Sequence, residues 1–153
     1  MPHNGCPHQC VFCNQKNITG HSYQPTKDDV VSAIETAINS GVDKKNTEIA
    51  FFGGSFTAID RDYMVSLLNA TKPYINDFYG IRVSTRPDAI DDKVLTLLKS
   101  YGVTSIELGA QSMCDDVLLL NERGHSATDV VNASNLIKEY NISLGLQMMI
   151  GLY

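Results

Sequence analysis

IRVSTRPDAIDDKVLTLLKSYGVTSIELGAQS, residues 81–112, holds the pattern from which the fold is read. Ile81 to Thr85 reads as a short strand. Pro87 suits the first turn of a helix, where its missing N–H is not needed, and Ile90, Val94, Leu97, Leu98 and Tyr101 follow at helical spacing. Gly102 stops that helix, and Val103 to Ala110 forms the next strand. A strand, one helix and another strand make a parallel pair joined by a right-handed crossover.

The same unit repeats in both directions from this stretch. Upstream, Thr26 with Asp29 three residues on is a capping-box signal before Val30, Val31, Ile34 and Ile38, and Gly41 closes that helix. Glu48 to Phe52 is a strand ending in Gly53-Gly54, and Asp60 opens a helix with Met64, Leu67 and Leu68 on one face. Pro73 ends it. Downstream, Ser126 with Asp129 repeats the capping box before Val130, Ala133, Ile137 and Tyr140, and Ile142 to Leu152 is a nearly continuous apolar strand. Four helices alternating with four strands predict an α/β fold with a parallel sheet buried on both faces, barrel-like or doubly wound.

Composition sets the outer bounds. The chain has 153 residues, 43% hydrophobic and 19% charged, which predicts one globular domain able to bury a core. No apolar run is long enough to span a bilayer, and MPHNGCPHQC lacks the basic start and apolar stretch of a signal peptide, so a cytoplasmic protein without membrane contact is expected. A net charge of -5 argues against a nucleic-acid surface within the segment, since phosphate neutralisation needs clustered Lys and Arg.

Three of the four cysteines crowd together in GCPHQCVFC, residues 5–13, which favours metal chemistry over disulfides. Cys6, Cys10 and Cys13 have CxxxCxxC spacing and could ligate three irons of a [4Fe-4S] cube. The fourth iron would then be open to a small molecule, as catalytic metal sites keep a position open. The alternative is a non-catalytic iron-sulfur or zinc module, with His3, His8 or His21 completing a zinc site. Cys114 is too distant to complete a ferredoxin pattern and reads as a packing residue.

CxxxCxxC with Phe12 before the last cysteine resembles the signature of the radical S-adenosylmethionine superfamily. The GxQS and RGH segments, around Gln111 and Arg123, are similar to the branches of the Elongator catalytic subunit and oxygen-independent coproporphyrinogen III dehydrogenase. The resemblance implies a partial parallel (β/α) TIM-barrel-like core, residues 1–153, apparently lacking its first and last strands, with a cluster-binding loop at residues 3–16. The chain would thus be a fragment, and its open sheet edges would favour a strand-swapped oligomer.

By the same resemblance, a [4Fe-4S] cluster on the three cysteines binds S-adenosylmethionine and cleaves it to a 5'-deoxyadenosyl radical and methionine. Gly53, Gly54 and Ser55 would receive the methionine amine, mainly through backbone. Ser84 and Arg86 would touch cofactor or substrate, and Arg123 would pair with the methionine carboxylate alongside Gln111. Gln147 would reach the ribose and Ile150, with Gly151, would flank the adenine, while Met148 and Met149 read as core. Glu107 would find its partner in Arg123, and His125 reads as the residue leading into a helix. The implied partners are an electron donor such as flavodoxin or ferredoxin and a substrate that is tRNA or a porphyrin.

Overall fold

In the computed structural model, which describes residues 2–3, 6, 8–14 and 24–152, five parallel strands lie side by side in chain order. They are β1 (Pro2–His3), β2 (Glu48–Gly53), β3 (Gly80–Thr85), β4 (Val103–Gln111) and β5 (Ser143–Met148). The helices between them are α1 (Lys27–Asn39), α2 (Arg61–Thr71), α3 (Asp92–Ser100), α4 (Asp115–Leu120) and α5 (Ala127–Glu139). Both expected capping boxes are present: Thr26 and Ser126 each exchange side-chain and backbone hydrogen bonds with Asp29 and Asp129. The unit read from residues 81–112 is the centre of the sheet, and β3 lies between β2 and β4.

Burial follows the strand period of two, and so corrects the expectation of a sheet buried on both faces. Ile49, Phe51, Ile81, Val83, Ile106 and Leu108 form one face of the sheet and share a core with Val30 and Ile34 of α1, Leu67 and Leu68 of α2, Leu95 and Leu98 of α3, and Val130 and Ile137 of α5. Covering each such side chain is worth about 1.5–3 kcal/mol. The opposite face, with Glu48, Arg82, Ser84, Glu107 and Gly145, is only partly covered and carries charge. Glu107 lies in register with Ser84 and Gly145 on this face. The register shifts between Ile81 and Arg82, leaving Thr104 as an extra residue and putting Glu107 on the same face as Arg82.

Several boundaries differ from the sequence reading. A two-residue strand does precede the cysteine loop, with Pro2 beside Phe52 and His3 beside Gly53. Pro87 opens a separate 3-10 turn, Pro87–Ala89, and α3 starts only where the Asp91 side chain caps Val94 N at 2.7 Å. The short α4 escaped the pattern because one residue of it, Leu118, is buried while Leu119 and Leu120 face solvent. Cys114, at its N-cap, is exposed and does not pack in the core. β5 ends at Met148, and the outer position of this strand leaves Met148 and Met149 51% and 40% exposed, against the expected core role. Tyr153 lies outside the described residues.

Candidate iron-sulfur and cofactor site

The cysteine loop leaves the C-terminal end of β1, the same rim where Gly53, Thr85 and Gln111 end their strands. In parallel barrels this rim is where ligand sites are built, because the loops there converge while the opposite rim holds the fold together. The loop is seated on residues 121–124, after α4. Val11 N donates to Asn121 O at 3.3 Å, the His8 ring meets the carbonyl of Glu122, and Cys13 N donates to Cys10 O at 3.0 Å in a turn. Gly124 makes the seat possible: it has φ +70°, and a Cβ there would lie 2.6 Å from His8 Cε1 and 3.2 Å from Arg86 Nη2. His8 and Gly124 were not read from the sequence as a pair, since the fit depends on two segments far apart in the chain.

No disulfide joins the cysteines, and Cys10 is buried while Cys6 and Cys13 are half-buried. Among the described residues no three His, Cys, Asp or Glu side chains are gathered into a metal-binding group. Cys10 and Cys13 share a turn, and Cys6 lies beside Arg86. His21 and the side chain of His3, two of the zinc candidates, lie outside what the structure describes, as do loop residues 4, 5, 7, 15 and 16. The third candidate, His8, is engaged with the Glu122 carbonyl.

Arg123 is 7% exposed and reaches the loop directly. Its Nη1 donates to Cys10 Sγ at 3.1 Å, its Nη2 donates to Gly109 O at 2.7 Å, and its guanidinium lies 5.7 Å from the centre of the Phe12 ring. Glu107 pairs with Arg82 instead of the expected Arg123. Arg82 also binds Glu48 Oε2 through Nε at 2.6 Å, and Glu48 Oε1 accepts from Ser105 at 2.6 Å and Thr104 at 3.1 Å. Burial alone would raise the Glu48 carboxyl, but the hydrogen bonds from Ser105, Arg82 and Thr104 outweigh it and hold the group below the usual carboxylate value.

Arg86 is buried, clamped by Asp88 through Nε at 2.7 Å and Nη2 at 2.8 Å, and its Nη2 also donates to Arg123 O at 2.8 Å. Burial opposes its charge, yet Asp88 and then Cys6 more than offset this and raise its pKa. His125 is buried against Ala110 O at 3.3 Å, and burial followed by the Arg123 charge lowers its pKa. It belongs to the buried site, beyond the helix-leading role read from sequence.

The Ser55 hydroxyl is not turned to the rim's opening. It lies 2.9 Å from Thr85 Oγ1 and accepts from Arg86 N at 3.1 Å, while Thr57 bonds both Thr85 and Ala89 O. This side-chain lock between the ends of β2 and β3 leaves only the backbone of Gly53-Gly54-Ser55 for a ligand. Gln111 has φ 65°, a left-handed conformation that costs a non-glycine residue about 1–3 kcal/mol and clusters at ligand sites. Ser84 is half-buried on the charged face, and Gln147 and Ile150 are exposed at the end of β5.

Among the described residues three buried side-chain nitrogens have no partner: Arg86 Nη1, Arg123 Nε and His125 Nδ1. Unpaired buried polar groups are rare and call for a ligand or ion. The two arginine nitrogens are donors, whereas His125, whose Nε2–H meets the Ala110 carbonyl, offers Nδ1 as an acceptor in its neutral ring. Two guanidinium groups against a loop of three thiols fit an anionic iron-sulfur cluster and a carboxylate. A cleft of about 630 Å³ borders the same segment from the α4–α5 side, but Asp115, Asp116 and Asp129 line it and suit an anion poorly.

The family model described as the Radical SAM superfamily matches residues 1–153. This chain belongs to the radical SAM superfamily. It is 25% identical over 96% of its length to a tRNA uridine(34) acetyltransferase of Dehalococcoides mccartyi, of which it spans 39%. Among solved structures it is similar to the archaeal Methanocaldococcus infernus Elp3, with TM-score 0.70 and 23% identity over 82% of this chain and 34% of that one. It is also similar to coproporphyrinogen III oxidase (HemN) from Escherichia coli, with TM-score 0.66 and 19% identity over 99% of this chain and 36% of that one. Both structural likenesses bear out the expected partial (β/α) barrel. Among the described residues no helix is long and apolar enough to cross a membrane.

Proposed function

We propose that this chain carries the cluster and S-adenosylmethionine site of a radical enzyme that acts on a tRNA uridine. The observation that carries the reading is the pair of buried guanidinium nitrogens on Arg86 and Arg123, unpartnered among the described residues, beside the thiol loop at the strand-end rim. When bound, the [4Fe-4S] cluster and S-adenosylmethionine supply one-electron cleavage of the sulfonium to methionine and a 5'-deoxyadenosyl radical. Cys6, Cys10 and Cys13 hold the cluster, within a loop of residues 3–16 of a core that takes in residues 1–153.

The backbone of Gly53, Gly54 and Ser55 receives the amine, and Arg123 keeps Nε for the carboxylate. Gln111 orients the methionyl group beside it, and Gln147 and Ile150 meet the ribose and adenine. Arg86 and Ser84 border the substrate side. Phe12 packs against the Arg123 guanidinium and keeps water from the cluster loop. The electron comes from a donor of the flavodoxin or ferredoxin kind. The choice of tRNA over porphyrin rests on the tRNA uridine(34) acetyltransferase relatives.

The test is anaerobic reconstitution of the intact protein, reduction with dithionite and addition of S-adenosylmethionine. 5'-Deoxyadenosine is expected, with faster formation when tRNA is added. A protein that holds zinc and makes none would instead be the binding module.

A further inference from the structure

Arg123 is unusual among the charged side chains here. Its charge is buried, and among the described residues it has no carboxylate within ion-pair distance, whereas Arg82 has two and Arg86 has one. A buried cation without a counter-ion is costly. A guanidinium cannot shed that cost by losing its proton. The nearest group able to carry compensating negative charge is Cys10, itself 5% exposed, at 3.1 Å from Nη1.

The guanidinium is fixed from several sides. Nη2 is held by Gly109 O at 2.7 Å, and the Arg123 carbonyl is held by Arg86 Nη2 at 2.8 Å. Cys10 is the most buried of the three loop cysteines and takes the Arg123 N–H on its sulfur, while Cys6 lies beside Arg86, which Asp88 already neutralises.

We propose that Arg123 is a positioning residue for the cluster, whose Nη1–H on the Cys10 sulfur sets the cluster's reduction potential separately from any contact with S-adenosylmethionine. The inference rests on the reading of the loop as a cluster site. A thiolate that accepts a charge-assisted hydrogen bond gives less electron density to iron, and a nearby buried cation favours the state with one more electron. Both effects raise the potential and bring the cluster within reach of a low-potential one-electron donor.

The experiment uses the intact protein, reconstituted anaerobically with iron and sulfide, and reads the cluster midpoint by EPR-monitored redox titration without S-adenosylmethionine. Arg123→Met is expected to lower the midpoint, with about a tenfold fall in the reduction equilibrium constant, which is 59 mV for one electron. Arg123→Lys, which keeps the charge but not the fork, is expected to fall between. A wild-type cluster whose midpoint is unchanged in Arg123→Met overturns the inference and leaves the cluster reading standing. Failure of the wild type to take up any cluster overturns both. Should Arg123→Met hold no cluster, wild type labelled with 15N-arginine decides: pulsed EPR of the reduced cluster is expected to show a weakly coupled arginine nitrogen that Arg123→Lys reduces, and its absence overturns the inference.

Discussion

The carboxylate of Glu107 occupies the space that a side chain at Gly145 would take, and Arg82 holds it there. Adjacent parallel strands thus carry a glycine and a glutamate in register, and the ion pair on the open face of the sheet depends on the glycine's missing Cβ. Gly145→Ala is expected to push Glu107 off Arg82 and destabilise the fold by about 1–3 kcal/mol, as overpacking does. Urea unfolding checks it. In a Glu107→Ala background the same change should cost much less, giving a coupling energy opposite in sign to the destabilisation of the single variant.

Glu48 gives the pH dependence. Its pKa is lowered from 4.5 in the folded protein, so the folded state binds its proton less readily than the unfolded chain. The stabilisation is therefore fully present above the unfolded value and is lost as pH falls through the lowered folded value. Unfolding of wild type and Glu48→Gln as a function of pH should show the largest difference near neutrality, shrinking below pH 4.5.

Gly124 should govern whether the cysteine loop stays seated. A side chain there faces both the left-handed φ of +70° and His8 at 2.6 Å. The backbone conformation alone costs an alanine about 1–2 kcal/mol. Gly124→Ala is expected to raise the rate of Cys10 alkylation by iodoacetamide several-fold while the far-ultraviolet circular dichroism stays native.

Ser55→Ala removes the hydroxyl that ties Thr85 to the Arg86 amide. Leaving those buried groups short of a partner should cost about 1–3 kcal/mol, visible in thermal unfolding. Because the glycine turn beside it then loosens, S-adenosylmethionine should bind more weakly to the reconstituted variant, by equilibrium dialysis, with iron content unchanged.

The parallel architecture could be read from the sequence because each strand-helix unit is self-contained: Asp29 and Asp129 cap helices through residues three positions away, and Gly102 stops one at φ +83°. The cysteines were equally legible, since their spacing is local. What could not be read depends on residues distant in the chain. Arg123 meets Cys10 across a separation of 113 residues, and Glu107 takes Arg82 as partner only once the β3–β4 register is fixed. Nor does periodicity distinguish a strand covered on both faces from β5, whose Met148 and Met149 are exposed at the sheet's outer position.

The proposed function requires that Cys6, Cys10 and Cys13 hold a cluster with one iron open to S-adenosylmethionine. Its most direct test is the EPR spectrum of the anaerobically reconstituted, dithionite-reduced protein before and after S-adenosylmethionine is added. A [4Fe-4S] signal is expected, with g-values that shift on addition and with no such signal in Cys10→Ala. A zinc-loaded protein, or a cluster signal that S-adenosylmethionine leaves unchanged, would contradict it.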